Sequence, residues 1–482
     1  MRPLDREQRT EGDAETTAGV EPPAGASAPL DVATRSRARH ELARRRLSRR
    51  AVEAAIWGMP LVAVDAIRQA YLRDAGAGYH DLLHWTGAAD WRGGDLPPGQ
   101  RASYALLFLQ PARGAATVEL PGAEDLDVRL QIVDAWNVPV LDATGGAGDA
   151  ASATRFLLRP PGHAEEIPAH CTPVPLPTNN AYALLRVTPR SDDEEARARV
   201  RRYLESLRVQ AGDGAEAPAT TRLVELDVQR FDASLPRDVR FYESLARMVG
   251  EEPVLERDRA IMGQLRSLGI GKELAFAPDA EMRLLLDEAI AEACALLSED
   301  FATSGILWWR DRQWRSLVDE CVATTRTTFD VPGRHLLLDE RATTWFATVG
   351  PASASGDDAL RVKTHVDATG TRLAGERSYR LHLPARIPAR QGWSVAVRDA
   401  DTAGCLRASP VVALSSELPS LDRNADGSID LHFAPRPAEG RAGNWIATVP
   451  GCEWFVVFAF HGAEKEALER SWTLDDLTPS AD

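Results

Sequence analysis

Five short runs between residues 378 and 462 decide the fold: SYRLHLP (378–384), WSVAVRD (393–399), SIDLHFAP (428–435), NWIATVP (444–450) and CEWFVVFAFHG (452–462). Apolar and polar residues alternate along them, as in strands with one buried face. Turn chemistry such as Asp426-Gly427 separates them. They predict a C-terminal sandwich or jelly roll.

A second β-rich group lies upstream: SYALLFLQP (103–111), ATVELP (116–121), VRLQIVDAWNVPVL (128–141), TRFLLRPP (154–161) and AYALLRVTP (181–189). Pro and Gly punctuate these runs, so they predict a small antiparallel sandwich. A charged surface helix is expected to follow over 192–207. Between the two β groups the period changes. VRFYESLARMVGE (239–251) and DAEMRLLLDEAIAEACALLSEDF (279–301) place apolar residues at helical spacing. Pro253 and Pro278 suit helix starts, and Asp279 supplies first-turn acid. Residues 43–75 also read as helix, with Pro60 expected to kink or split it. The reading is a multidomain α+β chain. It has a disordered tail over 1–42, a helix plus β-sandwich over 43–210, a helical middle domain over 211–335 and a jelly roll over 336–478.

The chain has 482 residues, with 56 basic against 71 acidic side chains, a net charge of −15. That argues against general nucleic-acid binding, which needs a basic face. Residues 35–50 are the exception, with eight Arg against Glu41 alone. Lys occurs only at 272, 363 and 465, so Arg is the default cation and this stretch reads as a solvated helix start. The longest apolar runs, Trp454–Phe460 and Ala54–Val64, fall far short of the ~20 residues of a membrane span. The N-terminus lacks the roughly 7–15-residue apolar stretch of a secretory signal. Five scattered cysteines without a C-x-x-C pair suit a reducing compartment, and the expected location is cytoplasmic.

Several motifs together resemble a known family. They are Ala55-Ile56-Trp57-Gly58-Met59-Pro60-Leu61, Asp134-Ala135-Trp136, Arg159-Pro160-Pro161-Gly162, Phe241-Tyr242, Glu252-Pro253 and Phe276-Ala277-Pro278-Asp279. Further along come Asp367 to Gly370, Leu373 to Gly375, Tyr379, Pro388, Trp393-Ser394, Asp426-Gly427-Ser428, Asn444-Trp445 and Trp472. In this order the set resembles bacterial proteins that pair the domains of unknown function numbered 1254 and 1214. The resemblance covers about residues 50–475. It implies an N-terminal immunoglobulin-like β-sandwich, a helical middle domain and a C-terminal jelly-roll β-sandwich, and it brings no settled activity with it. The chain departs from the family pattern in two places. Gly99 and Arg101 stand where relatives carry Asn and Asp before Tyr104, and Gly392 and Arg398 stand where relatives carry aromatic residues.

No sequence motif names a reaction. H-E-x-x-H, G-x-S-x-G, P-loop and G-x-G-x-x-G patterns are missing, so whether the chain is an enzyme stays open. Asp422, Asn424 and Asp426 resemble a calcium loop, but Phe433 holds the place of its bidentate acid, and a hairpin turn explains the stretch. His365 and Asp367 with a later His432 or His461 fit an iron triad, yet Asp367-Ala-Thr-Gly370 also reads as a turn. No cofactor is expected. Trp308, Trp309 and Trp314 beside Arg310, Arg312 and Arg315 could stack on a planar ligand, and filling a domain contact is the simpler reading. The acid pairs Glu299–Asp300 and Asp319–Glu320 diverge on their helices, and Glu453 is expected on a solvent face.

The function expected is binding of a small organic molecule in an interdomain cleft, with Tyr379, Trp393, Arg398, Asn444 and Trp445 lining it. The alternatives are an enzyme (a hydrolase, lyase or metal-dependent oxygenase acting on a secondary metabolite or sugar-like compound) and a β-sandwich interaction scaffold. Expected partners are a small organic molecule, no nucleic acid and no membrane span, with a homo-oligomer left open.

Overall fold

The computed structural model describes residues 32–480, apart from 87–88, 91–93, 96–101, 111–113, 124, 146–152, 164–166, 192, 212–220, 228–229, 318–320, 322–324, 326, 348–359, 407–408 and 438–441. The first 31 residues of the expected tail, most of the 209–220 linker, Gly99, Arg101 and the Asp319–Glu320 pair lie outside the described residues. The chain divides into two compact units, Met1–Arg46 and Leu47–Asp482.

In the first unit the described part is helical from Val32, and its side chains are mostly exposed. Ala, Arg and Leu are strong helix formers, and Arg45 Nε donates to Glu41 Oε1 at 2.7 Å one turn away. The second unit opens with helical residues up to Arg73. From Ala51 to Tyr71 this helix is buried on nearly every side, the pattern of a helix inside a core. Pro60 neither ends nor splits it. Asn137 Nδ2 donates to the Pro60 carbonyl at 3.0 Å and ties the helix to the turn after Leu126–Asp134.

Within residues 82–225 two large sheets enclose one core. The six-stranded sheet runs Leu223–Glu225, Leu82–Thr86, Ser103–Leu109, Ala181–Pro189, Leu126–Asp134, Pro139–Gly145. The four-stranded sheet runs Arg208–Ala211, Ala116–Leu120, Thr154–Arg159, Cys171–Pro175. Pairing is antiparallel except for the contacts of Leu223–Glu225 and of Cys171–Pro175 with their neighbours. Val118, Leu130, Phe156, Leu185 and Val209 fill the space between the sheets. The charged helix Glu194–Ser206 forms as expected, with Asp193 accepting from Ala196 N at 2.7 Å as its cap.

The C-terminal half repeats the two-sheet plan. The five-stranded sheet runs Arg315–Ser316, Leu360–Thr364, Trp454–Phe460, Trp393–Asp399, Ala413–Ser415. The four-stranded sheet runs Trp445–Ala447, Ile429–Ala434, Tyr379–Leu383, Thr478–Pro479. Trp309 and Trp314 belong to the core of this half, where they meet Phe460 and Phe458 edge-on.

A third core joins everything in the second unit. It holds the helix through Trp57, the helices Arg240–Glu251, Ala280–Thr303 and Leu338–Ala347, and one face of each large sheet. In Ser103–Leu109, Leu106 and Phe108 face this core while Ala105, Leu107 and Leu109 face the other sheet. In Trp454–Phe460, Phe455 and Val457 face it while Trp454, Val456, Phe458 and Phe460 face the C-terminal core. Burial on both faces explains why that strand is apolar throughout.

Gly58 sets how closely the long helix approaches its neighbour. A Cβ there would lie 2.6 Å from Leu245 Cδ1 on Arg240–Glu251, and Leu245 is fully buried. Gly58→Ala should therefore cost roughly 1–3 kcal/mol through overpacking, read as a lower urea midpoint at unchanged m-value.

Candidate functional site

The five residues expected to line a cleft make their contacts within the C-terminal half. Tyr379 is fully buried edge-on to Trp454, and its hydroxyl accepts from Ala374 N at 3.1 Å. Trp393 stacks on Phe458. Arg398 Nη1 donates to the Ala403 carbonyl at 3.2 Å. Asn444 Oδ1 accepts from Asp422 N, and its Nδ2 donates to the Asp422 and Asp430 carbonyls. Trp445 Nε1 donates to the Ala434 carbonyl at 2.9 Å. Tyr379 and Trp393 thus share a core, while Asn444 and Trp445 fix a chain crossing.

The suspected metal ligands also have local work. Asp367 Oδ1 accepts from Thr369 N, Thr369 Oγ1 and Thr371 N, an Asx turn. His365 stacks on Phe455 with ring centroids 4.5 Å apart. Burial, with Lys363 and Arg372 nearby, holds its pKa well below the ordinary value, so the imidazole is neutral. Asp426 Oδ1 accepts from the amide and hydroxyl of Ser428, in the turn before Ile429–Ala434. Glu453 is exposed.

The concentrated buried polarity lies where the N-terminal sheets meet the helices. At one point the network is closed. Asp65 is fully buried and Arg68 nearly so. Arg68 donates to Asp65 Oδ1 from Nε and Nη2, and from Nη1 to Glu251 Oε2 at 2.6 Å, Asn180 Oδ1 at 3.2 Å and Tyr79 Oη at 3.3 Å. Ser244 and Arg247 complete the shell of Asp65 Oδ2. Burial alone would lower the Arg68 pKa, but Asp65 and Glu251 outweigh it and leave it raised. This network ties the long helix to Arg240–Glu251 and to the strand Ala181–Pro189.

A second point on the same seam is not closed. Strand Leu126–Asp134 ends in a tight turn in which Asp134 Oδ1 accepts from Trp136 N at 2.8 Å and Val138 N at 2.9 Å, with Asn137 at φ 61°. The turn sets the Trp136 indole against Trp57, with centroids 5.1 Å apart at 71°. Trp57 Nε1 donates to Asp258 Oδ1 at 3.0 Å, and Arg257 Nε donates to Asp258 Oδ2 at 3.4 Å. The Arg341 guanidinium carbon lies 5.0 Å from the Trp136 ring centroid and that of Arg257 5.2 Å from it. Arg341 is 2% exposed, and its Nη2 donates to the Trp57 carbonyl at 2.9 Å.

Arg341 Nε, Arg341 Nη1 and Trp136 Nε1 are buried and donate to no acceptor among the described residues. Such groups are costly unless something fills them. Burial pushes Arg341 down to about 9, Arg257 adds repulsion and Asp258 offsets part of it, so the guanidinium stays charged at pH 7. Burial raises Asp134 to about 7 against the pull of the Val138 and Trp136 amides and Arg257, while Glu252 adds to the rise. The arrangement offers a cation and directed N–H donors beside an indole face. That is the chemistry of acceptor or anion recognition.

Comparison with known proteins follows this division of the chain. Residues 87–211 match the family model DUF1254, and residues 358–465 match DUF1214, both described as proteins of unknown function. The two modules are paired in that order. Asp134 and Trp136 lie within the first match, whereas Trp57, Arg257, Asp258 and Arg341 lie outside both. No curated protein matches the chain. Among solved structures, the VPA0106 protein from Vibrio parahaemolyticus is similar at 13% identity and TM-score 0.49, covering 90% of this chain and 100% of its own. An uncharacterized protein from Burkholderia cenocepacia is similar at 13% identity and TM-score 0.35, covering 95% of this chain and 91% of its own.

The motifs pointed to Trp57, Asp134 and Trp136 but to neither arginine nor Asp258. The one signal at Arg341 is its place ahead of Ala342, Trp345 and Phe346, on the buried side of an apolar helix. Among 56 basic residues that signal is easily lost.

Asp134 carries a pH dependence of known sign. Its folded pKa is above the ordinary 3.8, so the native state holds a proton that the unfolded chain releases. That stabilisation is full below about 4 and declines as pH rises to about 7. Asp134→Asn should lose this contribution and gain stability relative to wild type at pH 8, measured by urea titrations at pH 5 and 8.

Proposed function

We propose that this chain binds a small organic molecule on the seam between its N-terminal module and its helices. Trp57, Trp136, Arg257 and Arg341 would contact it. Within this reading the 1254-type module (43–210) is an immunoglobulin-like sandwich, the segment 211–335 a helical middle domain, and the 1214-type module (336–478) a jelly roll. One observation carries the proposal: Arg341 and Trp136 bury polar groups that no atom of the described residues satisfies. Ligand sites commonly sit between such layers, with a few convergent polar groups among aromatic walls. The aromatic pair Trp57–Trp136 supplies the apolar wall.

Native mass spectrometry of the full chain, purified without chelator, tests it against the denatured mass. A reproducible excess mass that falls at least about tenfold in occupancy in Arg341→Met supports the proposal, a loss worth ~1.4 kcal/mol or more of binding energy. A bare native mass, joined by no thermal shift from any member of a panel of small organic compounds, overturns it.

A further inference from the structure

We infer that the molecule held on this seam is a monoanionic carboxylate, recognised by Arg341 with Trp136 Nε1. The inference rests on the reading of the seam as a ligand site and names what that site selects.

The comparison that carries it lies within the chain. Arg68 and Arg341 are equally buried arginines on one core. Around Arg68 the fold supplies two carboxylates, an amide oxygen and a phenol. Around Arg341 the described residues supply one backbone carbonyl, from Trp57. The nearest carboxylate is already spent, since Asp258 gives Oδ1 to Trp57 and Oδ2 to Arg257. Asp134 and Glu252 are two further acids on this side, and Asp134 Oδ1 is taken by the Trp136 and Val138 amides. Burial raises both, and Glu252 is occupied by the amides of Asn179 and Asn180.

Arg257 thus has a carboxylate partner, and Arg341 has none among the described residues. An arginine does not discharge at neutral pH, so Arg341 is a buried positive charge without a paired carboxylate. A buried charge without a partner is strongly unfavourable, and a single negative charge removes the deficit. The vacant donors are planar and directed: one N–H at Nε, two at Nη1 and one at the indole. Two carboxylate oxygens suit such donors, and guanidinium–carboxylate pairing is the strong form of the hydrogen bond. A phosphate dianion would overshoot the charge, and a metal cation would add to the excess. Arg257, with 32% of its side-chain surface accessible, marks the side from which the anion arrives.

The test is thermal unfolding of the full chain at fixed sodium concentration, with chloride replaced stepwise by formate, acetate or benzoate. Benzamide serves as the neutral counterpart of benzoate. The expected result is a wild-type rise on the order of 2 °C or more at saturating benzoate, and a rise less than about a quarter as large with benzamide. Arg341→Met should lose the benzoate response, while Arg310→Met, an exposed arginine elsewhere, should keep it. If Arg341→Met does not fold, Arg257→Met is the second variant and should at least halve the response. Three results overturn the inference. One is an equal response to benzamide. Another is a benzoate response that survives in Arg341→Met or, where that variant does not fold, is undiminished in Arg257→Met. The third is no wild-type response to any of the carboxylates. Equal benzamide binding leaves the ligand-site reading standing, whereas a bare native mass with a silent compound panel removes the site itself.

Discussion

The structure depends on two sheets that must each be buried on both faces. Trp454–Phe460 is covered on one side by its own module and on the other by helices, and Ser103–Leu109 is covered in the same way. Every residue of Trp454–Phe460 is buried. Each large apolar side chain buried there contributes about 1.5–3 kcal/mol, so no part of the strand tolerates exposure. The helices are consequently part of the interior of both modules. Their packing brings the N-terminal helix, the turn after Leu126–Asp134 and Leu338–Ala347 to one place.

Burying that much surface traps polar groups, and the chain treats them in two ways. Where the long helix meets Arg240–Glu251, Arg68 is wrapped by acids and amides until its donors are satisfied. This is a structural cross-link, costly to break because one removed partner leaves a charge behind. Where the same helix meets Leu338–Ala347, Arg341 is stacked over an indole and left with vacant donors. The contrast separates a residue that holds the fold from one that is held by it. The rigid parts around Arg341 serve the second role. The Asp134 turn fixes Trp136, and Asn137 binds both the Pro60 carbonyl and the Tyr182 hydroxyl.

The motif residues divide along the same line. Tyr379, Trp393 and Asn444 hold the C-terminal module together through core contacts and turn hydrogen bonds. Trp57, Gly58, Asp134 and Trp136 build the seam. Gly58 permits a close helix approach, and Trp57 positions both Asp258 and Arg341. A local motif cannot separate these roles, because a tryptophan filling a core and one walling a site share the same apolar surroundings.

The sequence by itself determined the α+β plan, the two β-rich groups, the helices between them and the two-module resemblance. These follow from periodicity, turn chemistry and capping, which act over a few neighbouring residues. The Asx turn at Asp367 is local in this sense and legible in the sequence; Asp279, expected as first-turn acid, sits one residue earlier as the cap. Pro60 was read as a break because its local penalty is real, but burial on nearly every side holds the helix through it. The site was decided by tertiary structure. Trp57 and Asp258 are separated by 201 residues, and Trp57 and Arg341 by 284. Whether a buried arginine is satisfied depends on which acceptors distant segments bring to it. Arg68 and Arg341 look alike in the chain, and only packing gives one its carboxylates and leaves the other without.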